Sequence, residues 1–212
     1  MKKIRGVLLN ERGCFAKVSG GNVMNRLTIC SIVTLFFIIW SISIPDAMSS
    51  DGVNLRSQPK QLSDNDVKSM LIKYNFFDRT KNPGGAFVND FVGNGNGTVS
   101  DRATGLMWQK SGSSDGMTGQ DAREYVNILN TEKFAGHSDW RLPTIEELAS
   151  LMKPVKSEGN LYIDPVFSQK QEICWSGDTF GTDTAWYASF KTGMIRHIYH
   201  FFYHVRAVRT LK

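Results

Sequence analysis

The chain has 212 residues and a formal net charge of +5, long enough for one well-cored domain with extensions and marginal for two. Residues 1–48 carry four of those five charges, so the rest of the chain is close to neutral. That distribution excludes a duplex-binding surface, which needs many clustered phosphate contacts, and no nucleic-acid partner is expected.

The leader comes first. Residues 27–44, "LTICSIVTLFFIIWSISI", form an uncharged run of 18 residues, long enough to be considered as a membrane span. Arg26 precedes it, and Ala47 and Ser49 follow it as a small-x-small cleavage pattern. Met24 reads as the true start, which makes Met24 to Ser49 a secretory signal. The alternative is an uncleaved anchor through 27–44. Either way the expectation is export, to the periplasm, the cell surface or the medium, with membrane contact only through the leader (residues 1–49). Cys14 and Cys30 lie in this leader, so the exported part keeps Cys174 alone and has no internal disulfide to draw on. Ile173 and Trp175 flank Cys174, which reads as a buried strand thiol rather than a nucleophile.

Residues 50–62 are polar and aperiodic and read as a linker. Residues 63–89 read as an N-terminal helix and a loop. Ser63 and Asp66 have capping-box spacing, and Val67, Met70, Leu71 and Tyr74 follow at helical spacing, so a helix is predicted over 64–75. The Gly- and Asn-rich stretch after it is loop, with "AFVNDFV" as a short extended piece. Placing Gly97 at position six of an EF-hand puts Val92 at position one, where no side-chain ligand exists. No cofactor is expected from this, and calcium is left open.

"TVSDRATGLMWQK" reads as strand, turn, strand. Thr118 is a candidate N-cap for a helix over 119–130, with Ala122, Tyr125, Val126 and Leu129 on its apolar face. "HSDWRLPTIEEL" then starts a third helix. Thr144 and Glu147 form a capping box, Pro143 blocks extension upstream, and Glu146 sits in the first turn, where the helix dipole favours negative charge. Adjacent carboxylates on a helix point about 100° apart and do not converge on a substrate. The stretch therefore reads as a brace, with Arg141 tying loops to the helix start. The rest is β-like: "ICWSG", "TAWYASF" with Trp186, Ala188 and Phe190 on one face, "MIRHIYH" and "YHVRAVR". Phosphate loops, nucleophile elbows and zinc-protease motifs are absent from the sequence.

"VSDRATGLMWQK", "AGHSDWRLPTIEELASL", "IDPVF", "WSG", "AWYASF" and "VRAVR" occur in the order seen in the DUF1566, or Lcl C-terminal domain, family, named for a collagen-like adhesin. The resemblance covers residues 90–212. It implies an α+β, C-type-lectin-like fold, with two main helices, a twisted mostly antiparallel sheet and long loops, plus the N-terminal helix. Trp108, Trp140, Arg141, Leu142, Pro143, Thr144 and Glu147 are its structural signature here. It also implies a surface-exposed or periplasmic binding module, and in the adhesin the domain is linked to sulphated polysaccharide; with the leader and no converging catalytic set in the sequence, the expectation is an exported, non-enzymatic module. The Arg-Leu-Pro-Thr element is similar to one in formylglycine-generating enzymes, whose cysteine chemistry does not carry over to a globule with Cys174 alone.

The C-terminal run places Arg196, His200, His204, Arg206 and Arg209 among Tyr199, Phe201, Phe202 and Tyr203. These five basic residues are the expected ligand-binding set, with arginine forks for sulphate or carboxylate and aromatic rings for sugars. No metal is expected, because His197, His200 and His204 do not share a face in strands. The expected partner is an anionic or sulphated polysaccharide. The alternative is an assembly subunit binding an envelope protein, and an enzyme using Cys174 stands behind both.

Overall fold

Local sequence sets the helices. In the computed structural model, which describes residues 52–199 and 201–211, α1 spans Asp64–Lys73. Ser63 accepts from the Asp66 amide and Asp66 reaches back to the Ser63 amide. This reciprocal pairing satisfies two donors that the first helical turn leaves open. α2 spans Gly119–Thr131 behind Thr118, which accepts from the Asp121 amide, and it buries Ala122, Val126 and Leu129. α3 is short, Ile145–Ser150, with a full capping box between Thr144 and Glu147.

The strands form two antiparallel sheets. The first has the order β1 (Phe91–Gly93), β2 (Thr98–Asp101), β3 (Leu106–Gln109), β7 (Val208–Thr210). The second has the order β4 (Ile173–Phe180), β5 (Thr184–Ser189), β6 (Met194–Ile198). The α+β class is thus seen directly, with two sheets in place of the one expected. The C-terminal run explains the difference. Beyond β6, only Val208–Thr210 becomes a strand, while Tyr203 and His204 make single bridges to Met117 and Cys174. The segment leaves the second sheet at Cys174 and joins the first beside β3.

The alternation in "TAWYASF" buries Trp186, Ala188 and Phe190, each with no exposed surface. They join a main core with Trp108, Leu148, Leu151 and Cys174, while Trp140, Trp175, Tyr203 and Val205 pack with α2 in a second cluster. The "KTG" turn between β5 and β6 needs the positive φ of 67° at Gly193, a conformation glycine adopts without steric cost.

One expectation is corrected. Residues 52–62 are no loose linker, for they lie in the same compact unit as the rest of the described residues. Leu55 and Leu62 are buried in the main core. Leu62 donates to the Thr179 carbonyl and Thr179 to that of Lys60, at 2.8 and 3.1 Å. The segment covers the open edge of β4, and an edge strand gains from such cover.

Candidate functional site

The Trp-Arg-Leu-Pro element resolves residue by residue. Asp139 accepts from Arg209 Nε at 2.6 Å, tying the stretch to β7. The Trp140 backbone exchanges two hydrogen bonds with the Asn130 side chain, at 2.7 and 2.8 Å, and its indole donates to the Phe134 carbonyl at 3.0 Å. Arg141 pairs with Val208 through the backbone and grips Glu147 with both Nη atoms, at 2.7 and 2.5 Å. Leu142 is half-buried, and the Pro143 carbonyl accepts from the Gly177 amide at 2.8 Å.

A second carboxylate completes this brace. Asp178 is fully buried and takes both Nη atoms of Arg56 at 2.8 Å, the Lys60 amide at 2.7 Å and the Ile145 amide at 2.7 Å. Burial acts to lower the Arg56 pKa, but the hydrogen bonds and charge of Asp178 outweigh it and hold it above the ordinary value. Glu146 accepts from the Arg56 amide at 2.9 Å. These carboxylates hold cations and amides of the protein itself. Trp108, on β3, is fully buried in the main core.

The expected basic face does not assemble. Arg206 has no exposed surface. Its guanidinium donates to the carbonyls of Gln109, Lys110 and Ser168 and lies 4.9 Å from the Phe167 ring centroid. Arg209 is 6 % exposed and held by Asp139. Arg206 and Arg209 are therefore corrected from ligand-gripping residues to interior ties. Arg196 bonds Thr80 Oγ1 at 2.9 Å and sits 4.0 Å from Asp78. His204 is half-buried, with Nδ1 3.3 Å from the Ser113 carbonyl. His200 lies outside the described residues. His197 stacks on Phe180 with ring centroids 3.8 Å apart. Among the described residues no three histidine, cysteine, aspartate or glutamate side chains gather around one point. Cys174 is buried in β4, and burial pushes its thiol up to about 11.

The aromatic half of the C-terminal run does reach the surface. Tyr199, Phe201 and Phe202 are 56 %, 51 % and 68 % exposed. Tyr199 and Phe201 line a cleft of about 400 Å³ together with Trp175 and Ile198. Its polar wall comes from the first turns of α2, through Thr118, Gln120 and Arg123, and from the β4–β5 turn, through Thr182 and Asp183. The rings continue inward as a chain. Phe201 lies 4.7 Å from Tyr203, and Tyr203 lies 4.8 Å from Trp175 and 4.7 Å from Tyr187. The Trp175 indole is fixed by the Met117 carbonyl at 2.8 Å. Burial, and then the neighbouring Tyr187, push the Tyr203 phenol up to about 12, so it is neutral at ordinary pH.

A second cavity, of about 670 Å³, lies along the rest of α2. Arg123 borders both cavities and forms no salt bridge among the described residues. Sequence reasoning marked the exposed aromatics through the C-terminal run but missed Gln120, Arg123, Thr182 and Asp183. None of these stands in a motif, and the fold alone brings them to the rings.

Residues 97–209 match the family model of the Lcl C-terminal domain. No curated protein matches the chain. The match begins just before β2, so α1, β1 and the segment over β4 lie outside it. No described helix is long and apolar enough to cross a membrane, and residues 27–44 lie outside the described part.

Proposed function

We propose, from the premise that the chain belongs to the Lcl C-terminal domain family, that its globule is an exported, C-type-lectin-like binding module of the cell envelope or surface, and that it holds polysaccharide in the aromatic cleft. The observation that carries this reading is the pair Tyr199 and Phe201, more than half exposed beside Trp175 and the cation Arg123. Large exposed aromatics concentrated at one place mark a binding surface. A whole aromatic side chain buries roughly 150–250 Å², about half of which is still open on each of these two rings, and the apolar face of a sugar ring is a suitable cover. Gln120, Thr182 and Asp183 offer donors and acceptors for hydroxyl groups, and the Arg123 fork suits sulphate or carboxylate.

A non-catalytic role is supported by the same geometry. The brace carboxylates are committed to arginines and amides, and the raised pKa of the Cys174 thiol makes it a poor nucleophile. The test is retention of residues 50–212 on immobilised sulphated, carboxylated and neutral polysaccharides across a salt gradient, with calcium and with chelator. Retention on the acidic matrices that weakens with salt and ignores chelator is expected. No retention on any matrix overturns the reading and turns attention to an envelope protein partner.

A further inference from the structure

The two cavities follow one another along α2. The first is bordered by Thr118, Gln120 and Arg123, and the second by Arg123, Asn127 and Asn130. At 1.5 Å per residue, Thr118 to Asn130 spans about 18 Å of helix. Arg123 belongs to both, so it stands at their junction rather than at the end of either.

The second cavity carries glycan-like chemistry of its own. Gln58 and Asn127 present side-chain amides, while Pro59, Leu142 and Trp140 supply apolar surface. Gly177 lies between Pro59 and Leu142, where a Cβ would come within 2.8 Å of the Pro59 ring. Asn130 and Arg141 are already committed to Trp140 and Glu147, and Asn127 makes only a long hydrogen bond to Glu124, at 3.4 Å, so the polar side chains left for a ligand are Ser57, Gln58, Asn127 and Arg123.

An extended peptide fits this place poorly. Peptides bind beside sheets by pairing with an open strand edge. Here the β4 amides of Trp175, Gly177 and Thr179 are spent on the carbonyls of His204, Pro143 and Lys60, at 2.9, 2.8 and 3.1 Å. Recognition must come from side chains, as it does for a carbohydrate.

We infer that the two cavities form one groove that takes an interior run of an acidic polysaccharide along α2, with Arg123 gripping an acid group at its midpoint. This rests on the glycan reading of the aromatic cleft. It adds that the module reads the length of a chain and not its end. Residues 57–59, on one side of the second cavity, lie outside the stretch matched by the family, so the N-terminal segment adds to a cavity lined mainly by residues of the matched stretch.

The experiment titrates heparin fragments of defined length, and alginate fragments in parallel, into the full chain held in detergent. The heparin series carries sulphate and carboxylate, and the alginate series carboxylate alone. Affinity should rise with length until a fragment spans both cavities. Asn127→Trp, which fills the second cavity from an exposed helix position, should remove that gain, at least tenfold. Arg123→Gln should weaken every length that binds, by about tenfold, as loss of a charged fork does, and should flatten the salt dependence, with Arg123→Lys recovering part. Length-independent affinity that is nonetheless lost in Tyr199→Ala overturns the groove and leaves the cleft reading intact. So does an Asn127→Trp protein that binds long fragments as the wild type does. If no fragment of either series binds, the groove and the reading beneath it both fall.

Discussion

Replacing Asp178 with alanine should be among the most damaging single changes in the protein. The side chain is fully buried and serves four donors: two Arg56 nitrogens and the amides of Lys60 and Ile145. Ile145 opens α3, so its amide is one of the helix-start donors with no partner inside the helix. Removing one member of a buried ion pair costs about 3–5 kcal/mol. The Arg56 side chain keeps 19 % of its surface, so water recovers part of its charge, and the loss should fall near the lower end, about 3 kcal/mol. For a chain of this size that is a drop in Tm of roughly 6–12 °C. The assay is guanidinium unfolding of residues 50–212 followed by tryptophan fluorescence. The midpoint should fall with the slope unchanged. Arg56→Ala should be non-additive with it in a double-mutant cycle, with a coupling above about 1 kcal/mol. A loss under about 1 kcal/mol, or full additivity, would refute the account of residues 52–62 as a pinned strap.

Three further outcomes follow from the same physics. Thr144→Ala should cost about 2 kcal/mol, the upper range for a cap, because the hydroxyl both accepts from the Glu147 amide and donates to the Arg56 carbonyl at 2.9 Å; an unchanged denaturant midpoint would place the helix start elsewhere. Burial acts to raise the Asp78 pKa, but the amides of Ile195, Lys81 and Thr80 together hold it below the ordinary carboxylate value. Its contribution is therefore complete above about pH 3.9 and is lost as pH falls through its lower folded value. Asp78→Asn should flatten that acid limb, and an identical limb would contradict this. Cys174 should resist alkylation in the native chain at pH 8 and react once it is unfolded, read by peptide mass mapping; rapid native labelling would contradict its burial.

What the sequence discloses and what it hides divide along the range of the interactions. Ser63 with Asp66, Thr118 with Asp121 and Thr144 with Glu147 are three residues apart, and the helices begin where those pairs predict. The two-residue period of "TAWYASF" likewise reports its buried face. Arg56 and Asp178 are 122 residues apart, and nothing near either announces the other, so a pinned strap reads as a polar linker. Arg206 carries the same misdirection. A basic residue beside aromatics looks like a surface grip, yet distant carbonyls of Gln109, Lys110 and Ser168 draw it inside. The aromatic side of the site was legible, because Tyr199, Phe201 and Phe202 are unusual in so polar a run. Its polar side was not, because Gln120, Arg123, Thr182 and Asp183 meet only through the packing of α2 against the second sheet.

The central claim is that polysaccharide binds at the exposed rings. The most direct measurement compares wild type with Tyr199→Ala/Phe201→Ala by calorimetric titration of the polysaccharide that is best retained, with Tm recorded alongside. Both rings are more than half exposed, so Tm should stay within about 2 °C while affinity falls at least about tenfold. Unchanged affinity in a folded variant would contradict the account.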